Sequence, residues 1–177
     1  MAKIQQTAST VSSAKRKIAI SPAKGRLGIL TPGLGAVSTT FIAGVMLARK
    51  HGFVPVGSLT QLQTIRLGKR SENRAPLIRD FVPLAKLSDL EFAAWDIFPD
   101  NAYEAATKAA VLTPEHLSLV KNELEKIKPM KAVFDRKFIK NIDGPNVKKG
   151  RNKLDLANQV RQDIRLIKKE KKLQKNQ

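Results

Sequence analysis

Gly33 and Gly35, with Ser38 three residues on, are the residues whose types and spacing promise chemistry. They follow Leu27-Gly28-Ile29-Leu30-Thr31-Pro32 and precede Ala36-Val37-Ser38-Thr39-Thr40, which reads as a short buried strand, a tight turn and the start of a helix. A Gly-x-Gly turn at such a junction aims backbone N–H groups at a phosphate. Gly33 permits the sharp turn, and Gly35 lets an oxygen approach the backbone at the start of a helix. The third glycine of the usual pattern is replaced by Ser38, small enough for close packing and able to donate its hydroxyl to a phosphate. The chemistry is the holding of an anion, most simply the pyrophosphate of a dinucleotide. An ordinary glycine-rich turn from strand to helix uses the same residues, so the motif alone does not decide.

A dinucleotide site also needs an acid for the adenosine ribose, normally about 20 residues past the glycines. None is there, because the first acid of the chain is Glu72. Asp96, at the end of the second expected strand, is the best-placed carboxylate, since ligands bind beyond the carboxyl ends of parallel strands. Its other reading is a solvated residue at a helix entry. Arg66, Lys69, Arg70, Arg74 and Arg79 make a basic loop that can hold a phosphate or simply be a solvated surface. No Ser-His-Asp set and no catalytic carboxylate pair stands out, so no catalytic residue is assigned. There is no cysteine, and His51 and His116 are too far apart in sequence for a local metal motif, so no metal site is expected.

The charge argues for a different partner. The 177 residues carry a net +18, unevenly spread: residues 1–71 have 11 Lys or Arg and no acid, while 121–177 have 18 basic against seven acidic. Two basic ends attract polyanions, so a basic nucleic-acid-binding protein is the alternative function. Against it, aromatics are only 5% and no zinc or RNA-binding signature is present. Nucleic acid is therefore not the expected partner. No apolar run approaches the roughly 18 residues of a spanning helix, so no membrane association is expected.

The elements that must position the site alternate. Strands are expected at Leu27–Leu30, Leu90–Ile97 and Met130–Phe134. Helices are expected from Ala36 to His51, with Gly52 as C-cap; after an Asp100 or Asn101 cap with Glu104 in a capping box; from Thr113-Pro114 to Ile127; and from Lys153. Val37, Phe41, Val45 and Ala48 predict the buried stripe of the first helix, and Gly44 a close approach to the sheet. Leu154, Ala157, Val160, Ile164 and Ile167 predict the inward face of the last. Residues 53–76 read as a long functional loop with a short strand at Gln63–Leu67. Alternation of this kind predicts an α/β fold, an incomplete Rossmann-like domain with parallel strands and flanking helices. The expected division is a disordered basic tail over 1–24 (a transit peptide being the second reading), the partial domain over 25–167, and a lysine-rich tail over 168–177.

Between Gly25 and about Arg165 the chain resembles the inositol-3-phosphate synthases, also called myo-inositol-1-phosphate synthases. Seven ordered blocks carry the likeness: Gly28–Gly44, Pro55–Gln61, Ile65–Gly68, Asp80–Ala85, Ala94–Ile97, Asn101–Ala106 and Lys128–Asp135. The resemblance implies NAD as cofactor and conversion of glucose 6-phosphate to 1D-myo-inositol 3-phosphate, an intramolecular lyase reaction of the isomerase class. In it, oxidation at C5 permits aldol ring closure, and NADH then reduces the product. It further implies that Gly33-Leu34-Gly35-Ala36-Val37 is the NAD-phosphate loop and that Asp96 is the cofactor contact of a Trp-Asp-Ile motif. Ala132 and Val133 would line the nicotinamide–adenosine cleft. A homotetramer and a cytoplasmic location are expected on the same basis. The family is more than twice as long, and its later part supplies the catalytic lysines and an Asn-rich substrate segment. The implied protein is therefore a truncated, inactive N-terminal portion, with the lysine tract as a premature or out-of-frame end.

Overall fold

The computed structural model describes residues 25–173. The basic segment 1–24 and residues 174–177 lie outside the described residues, and with them the expected tail and leader. Three parallel strands, β1 (Leu27–Pro32), β2 (Leu90–Asp96) and β3 (Met130–Lys131), form one sheet in the order β1-β2-β3. Leu27 pairs with Leu90 and Pro32 with Trp95, while Trp95 pairs with Met130 on the other edge of β2. The expected alternation of strands and helices holds, and so does the parallel sheet.

One face of the sheet is covered by α1 (Ala36–His51), α4 (Ala102–Ala109), α5 (Pro114–Leu119) and α6 (Lys121–Leu124). Leu90, Phe92 and Ala94 of β2 share a core with Ile42, Ala43 and Leu47 of α1 and with Ala106, Leu117, Val120 and Leu124. Phe41 of α1 meets the edge of Phe92 at 5.7 Å. The buried stripe of α1 is Thr39, Ile42, Ala43, Val45 and Leu47. The expected stripe shares only Val45 with it: Val37 is 85% exposed and Phe41 is half outside. Thr39 and Ala43 share the buried stripe with Ile42, Val45 and Leu47, while Val37 and Phe41 are turned to its margin. Gly44 makes no close approach either, because a Cβ built there meets nothing within 4 Å.

Local hydrogen bonds set the helix ends as the sequence indicates. Asn101 is the cap of α4: its side chain accepts the Tyr103 and Glu104 N–H groups at 3.0 Å, and Glu104 returns a bond to its N–H. Thr113 caps α5 and Gly52 closes α1 at φ 67°. The expected helix to Ile127 is instead two short ones, broken at Val120 (φ −118°, ψ 13°), a break that keeps Leu117, Val120, Leu124 and Ile127 all in the core. The insertion between α1 and β2 contains α2 (Leu59–Leu62) and α3 (Ile78–Phe81). Where a strand at Gln63–Leu67 is expected, antiparallel bridges Thr64–Leu77 and Leu67–Arg74 form a small hairpin.

The helix α7 (Lys153–Glu170) lies on the opposite face, where the indole N–H of Trp95 donates to Asp163 at 2.7 Å and Lys171 pairs with Glu91. Only Ile167 of its expected inward set is fully buried, and Leu154 and Ile164 are exposed. The face actually turned inward runs through Leu156, Val160, Asp163 and Ile167, so an acid interrupts the apolar stripe. Past the helix, Leu173 forms a parallel bridge with Arg26 at the start of β1. The lysine tract thus begins inside a helix and ends its described part at the sheet. This return brings the chain back beside β1 rather than beyond β3, as in a doubly wound sheet. β3 is shorter than the expected Met130–Phe134, because Ala132 leaves β2 and pairs with the 146–148 segment (Ala132 N–H to Asn146 O, 3.0 Å; Lys148 N–H to Ala132 O, 2.8 Å).

Candidate cofactor site

The site forms where β1 runs out. Gly33 takes φ +110°, a conformation that disfavours any side chain, and its N–H donates to the carbonyl of Trp95 at 2.7 Å. The Ser38 hydroxyl donates back to the Gly33 carbonyl at 2.8 Å. Ser38 therefore braces the turn. Leu34 plugs the core at 2% exposure, and its N–H donates to Asp96 Oδ2 at 2.5 Å.

Gly35 is different. Its backbone is extended (φ −85°, ψ −161°) and open to any residue, and a Cβ there meets nothing within 4 Å. Neither conformation nor packing inside the chain requires a glycine, and the residue borders an open cavity. Immediately after it, the N–H groups of Ala36, Val37 and Ser38 start α1 with no carbonyl partner four residues back, no side-chain cap and no acid in the first turn. They are three unshared donors at the positive end of a 16-residue helix. Thr31 Oγ1, two residues before the turn, is buried with no hydrogen-bond partner.

Asp96 ends β2 beside this turn. One oxygen takes the Leu34 N–H and the other the Phe98 N–H at 2.9 Å. A carboxylate has about four acceptor positions, so two remain for a ligand's hydroxyls. Asp96 is the carboxylate that the fold sets beside the turn. It stands at the end of the second strand, as the topology demands, and the insertion between α1 and β2 displaces it along the sequence. The cavity between the turn, the end of β2 and α4 has a volume of about 360 Å³, and Gly35, Ala36, Asp96, Phe98, Ala105 and Lys108 are among its lining residues. Lys108 pairs with Asp100 at 2.6 Å on its rim. Phe98, Asp100 and Lys108 escape sequence reasoning; the capping box at Asn101, which places α4 directly after β2, is the signal that leads to them.

The structure brings Gly33 to Ser38 together with Asp96. Ala132 and Val133 stand one strand further out, just past Lys131, which is the register partner of Asp96; Ala132 is half-buried and Val133 exposed. The basic residues Arg66, Lys69, Arg70 and Arg74 lie on the exposed hairpin and Arg79 follows it, apart from the cavity lining. His51 hydrogen-bonds the Leu119 carbonyl and His116 meets Phe53 edge-on. Among the described residues no group of His, Cys, Asp and Glu can hold a metal ion, and no helix is long and apolar enough to cross a membrane.

A parallel sheet re-entered beside its first strand, a glycine turn open to a ligand, a free helix N-terminus and an acid ending the second strand define a dinucleotide-binding domain of the doubly wound α/β class. The donor set fits such a cofactor: unshared helix N–H groups suit a pyrophosphate, and Asp96 keeps acceptor positions that suit a ribose. Within that class, the chain belongs to the myo-inositol-1-phosphate synthase family, whose NAD-binding family model matches residues 27–176. It is 50% identical over 147 residues to inositol-3-phosphate synthase 1 of Bacteroides thetaiotaomicron, covering 82% of this chain and 34% of that one. Inositol-3-phosphate synthase 1 of Oryza sativa subsp. japonica is 33% identical over 166 residues. The crystal structure of inositol-3-phosphate synthase from Caenorhabditis elegans superposes with a TM-score of 0.72 at 26% identity, covering 87% of this chain and 33% of that one. The chain spans about a third of the length of these relatives. It corresponds to their NAD-binding part. The family match runs on past Arg165, where the sequence likeness is expected to fade.

Proposed function

We propose that this chain supplies the NAD-holding part of an inositol-3-phosphate synthase, the enzyme that converts glucose 6-phosphate to 1D-myo-inositol 3-phosphate. The observation that carries the reading is Gly35, a glycine that nothing within the fold requires, at the mouth of three unshared helix N–H groups. These groups and the Gly33–Val37 backbone would hold the pyrophosphate. Asp96 would accept from the adenosine ribose while keeping Leu34 in place, and Ala132 and Val133 would edge the cleft on the β3 side. Bound NAD supplies a hydride acceptor and, once reduced, a hydride donor. The chain's own contribution is to fix where that group lies. Within the proposal, residues 25–167 are the partial domain, a cytoplasmic location and a homotetramer belong to the whole enzyme, and this chain by itself turns over no sugar phosphate.

Calorimetric titration of the purified chain with NAD, beside Gly35→Val, tests the reading. Saturable binding that the substitution abolishes supports it, and equal behaviour of the two proteins overturns it. Binding that holds between low and moderate salt distinguishes NAD from a polyanion, whose affinity falls steeply with salt. Inositol phosphate formed from glucose 6-phosphate by this chain would overturn the statement on inactivity.

A further inference from the structure

Trp95 stands between the cofactor turn and the far face of the sheet. Its carbonyl accepts the Gly33 N–H at 2.7 Å, its indole N–H donates to Asp163 Oδ2 at 2.7 Å, and the next residue is Asp96. The same oxygen of Asp163 takes the ammonium of Lys148 at 2.8 Å, and the side chains of Lys148 and Asp163 are only 10% and 16% exposed. Lys148 belongs to the segment in which Asn146 Nδ2 donates to the carbonyls of Asp96 (2.9 Å) and Met130 (3.2 Å), and the Asn146 N–H to that of Ile97 (2.8 Å). The end of β2 is therefore held from both sides through one carboxylate that sits where an apolar residue would continue the α7 stripe.

We propose that Asp163 is a positioning residue for the cofactor turn, acting through Trp95. The proposal rests on the reading of the turn as an NAD site. The physical case is one of desolvation. A carboxylate so little exposed is costly unless fully paired, and its two donors come from different segments, the β2 end and residues 146–148. An aliphatic residue would pack α7 against the sheet without that cost, but it would leave the indole free to turn. With the indole held, the Trp95 carbonyl and the Asp96 carboxylate keep the angles at which they receive Gly33 and Leu34. With it released, both bonds loosen and the N–H groups of the turn lose their common aim.

The test uses the full chain with Trp95→Phe, Asp163→Leu and the double variant, reading NAD affinity together with hydrogen exchange at the Leu34 amide. Val45 inside α1 serves as the reference amide. Each single variant is expected to weaken NAD binding about tenfold, the loss of one good hydrogen bond. Leu34 should exchange faster with Val45 unchanged, and the double variant should be no weaker than Asp163→Leu, because the two residues act as one unit. A merely structural role would speed both amides together. Trp95→Phe keeps the Asp163–Lys148 pair and so remains decisive if Asp163→Leu does not fold. Unchanged exchange at Leu34 in Trp95→Phe overturns the proposal. A wild-type chain that binds no NAD defeats the cofactor reading instead, and the amides still decide the positioning role.

Discussion

Asp96 and Leu34, 62 positions apart, are joined by a 2.5 Å hydrogen bond from a main-chain N–H to a carboxylate. The acid thus has two duties. It fixes the turn that follows β1, and it keeps acceptor positions for whatever lies in the cavity beside that turn.

Asp96→Ala should therefore show two losses at once. NAD affinity falls by about tenfold or more, the loss of charged-acceptor hydrogen bonds to the ribose. The half-buried Leu34 N–H loses its partner, which costs about 1–3 kcal/mol in a urea melt. Asp96→Asn keeps an acceptor for Leu34, so its stability should stay near wild type while its NAD affinity drops. Equal stability of the two variants would separate Asp96 from the turn.

The two glycines of the turn should respond in opposite ways. Gly33→Ala places a side chain at φ +110° and is expected to cost about 1–3 kcal/mol in thermal unfolding. Gly35→Val should cost no more than about 1 kcal/mol, for a poorer N-cap, since a Cβ there meets nothing within 4 Å, yet abolish NAD binding. A Gly35→Val protein that melts early would remove the case for a ligand at that position.

Arg49 ties the insertion to the sheet from the last turn of α1. Its guanidinium donates to the carbonyls of Leu87 and Leu90 and sits 5.6 Å over the Phe92 ring, and burial pushes its pKa down from the ordinary arginine value. Arg49→Met keeps the aliphatic stem and removes the donors. A loss of about 2–3 kcal/mol is expected, read as a lower urea midpoint at constant slope.

The Lys50–Glu123 pair predicts a pH dependence. A hydrogen bond from Lys50 Nζ, 2.5 Å away, holds the Glu123 carboxyl below its usual range, against the opposing effect of burial. The lowered folded pKa makes the contribution complete above the ordinary value of about 4.3 and lost as pH falls through the lowered one. Wild type should lose more stability than Glu123→Gln between about pH 5 and pH 3, and less so in high salt. Parallel curves would mean that the pair contributes nothing.

Where structure is decided within a few residues, the sequence already shows it. The caps at Asn101 (one of the two residues offered), Thr113 and Gly52 depend on hydrogen bonds spanning two to five positions, and all three stand. The turn at Gly33 is legible for the same reason. Features set by distant partners are not. The buried face of α1 is set by its packing on the sheet and the neighbouring helices, which takes in Thr39 and Ile42 and leaves Val37 outside. β3 ends early because residues 146–148 compete for Ala132. The helix break at Val120 answers to the core and not to the local pattern. Asp163 looks like a flaw in an apolar stripe until Trp95 and Lys148 are seen beside it. The role of Asp96 is half legible: its type and its place at a strand end are visible, but the insertion obscures its pairing with Leu34.

Most glycines in a fold are a debt to the chain's own geometry, and Gly33 is one of these. Gly35 owes nothing inward, since alanine would sit there without strain or collision. On the proposed reading, the space beside it is kept for a ligand. A lineage that stopped holding the cofactor would be free to fill the position while its melting temperature stayed where it was. That single position therefore works as a gauge of use. On that reading, a relative with a side chain there should keep its melting temperature and lose the cofactor.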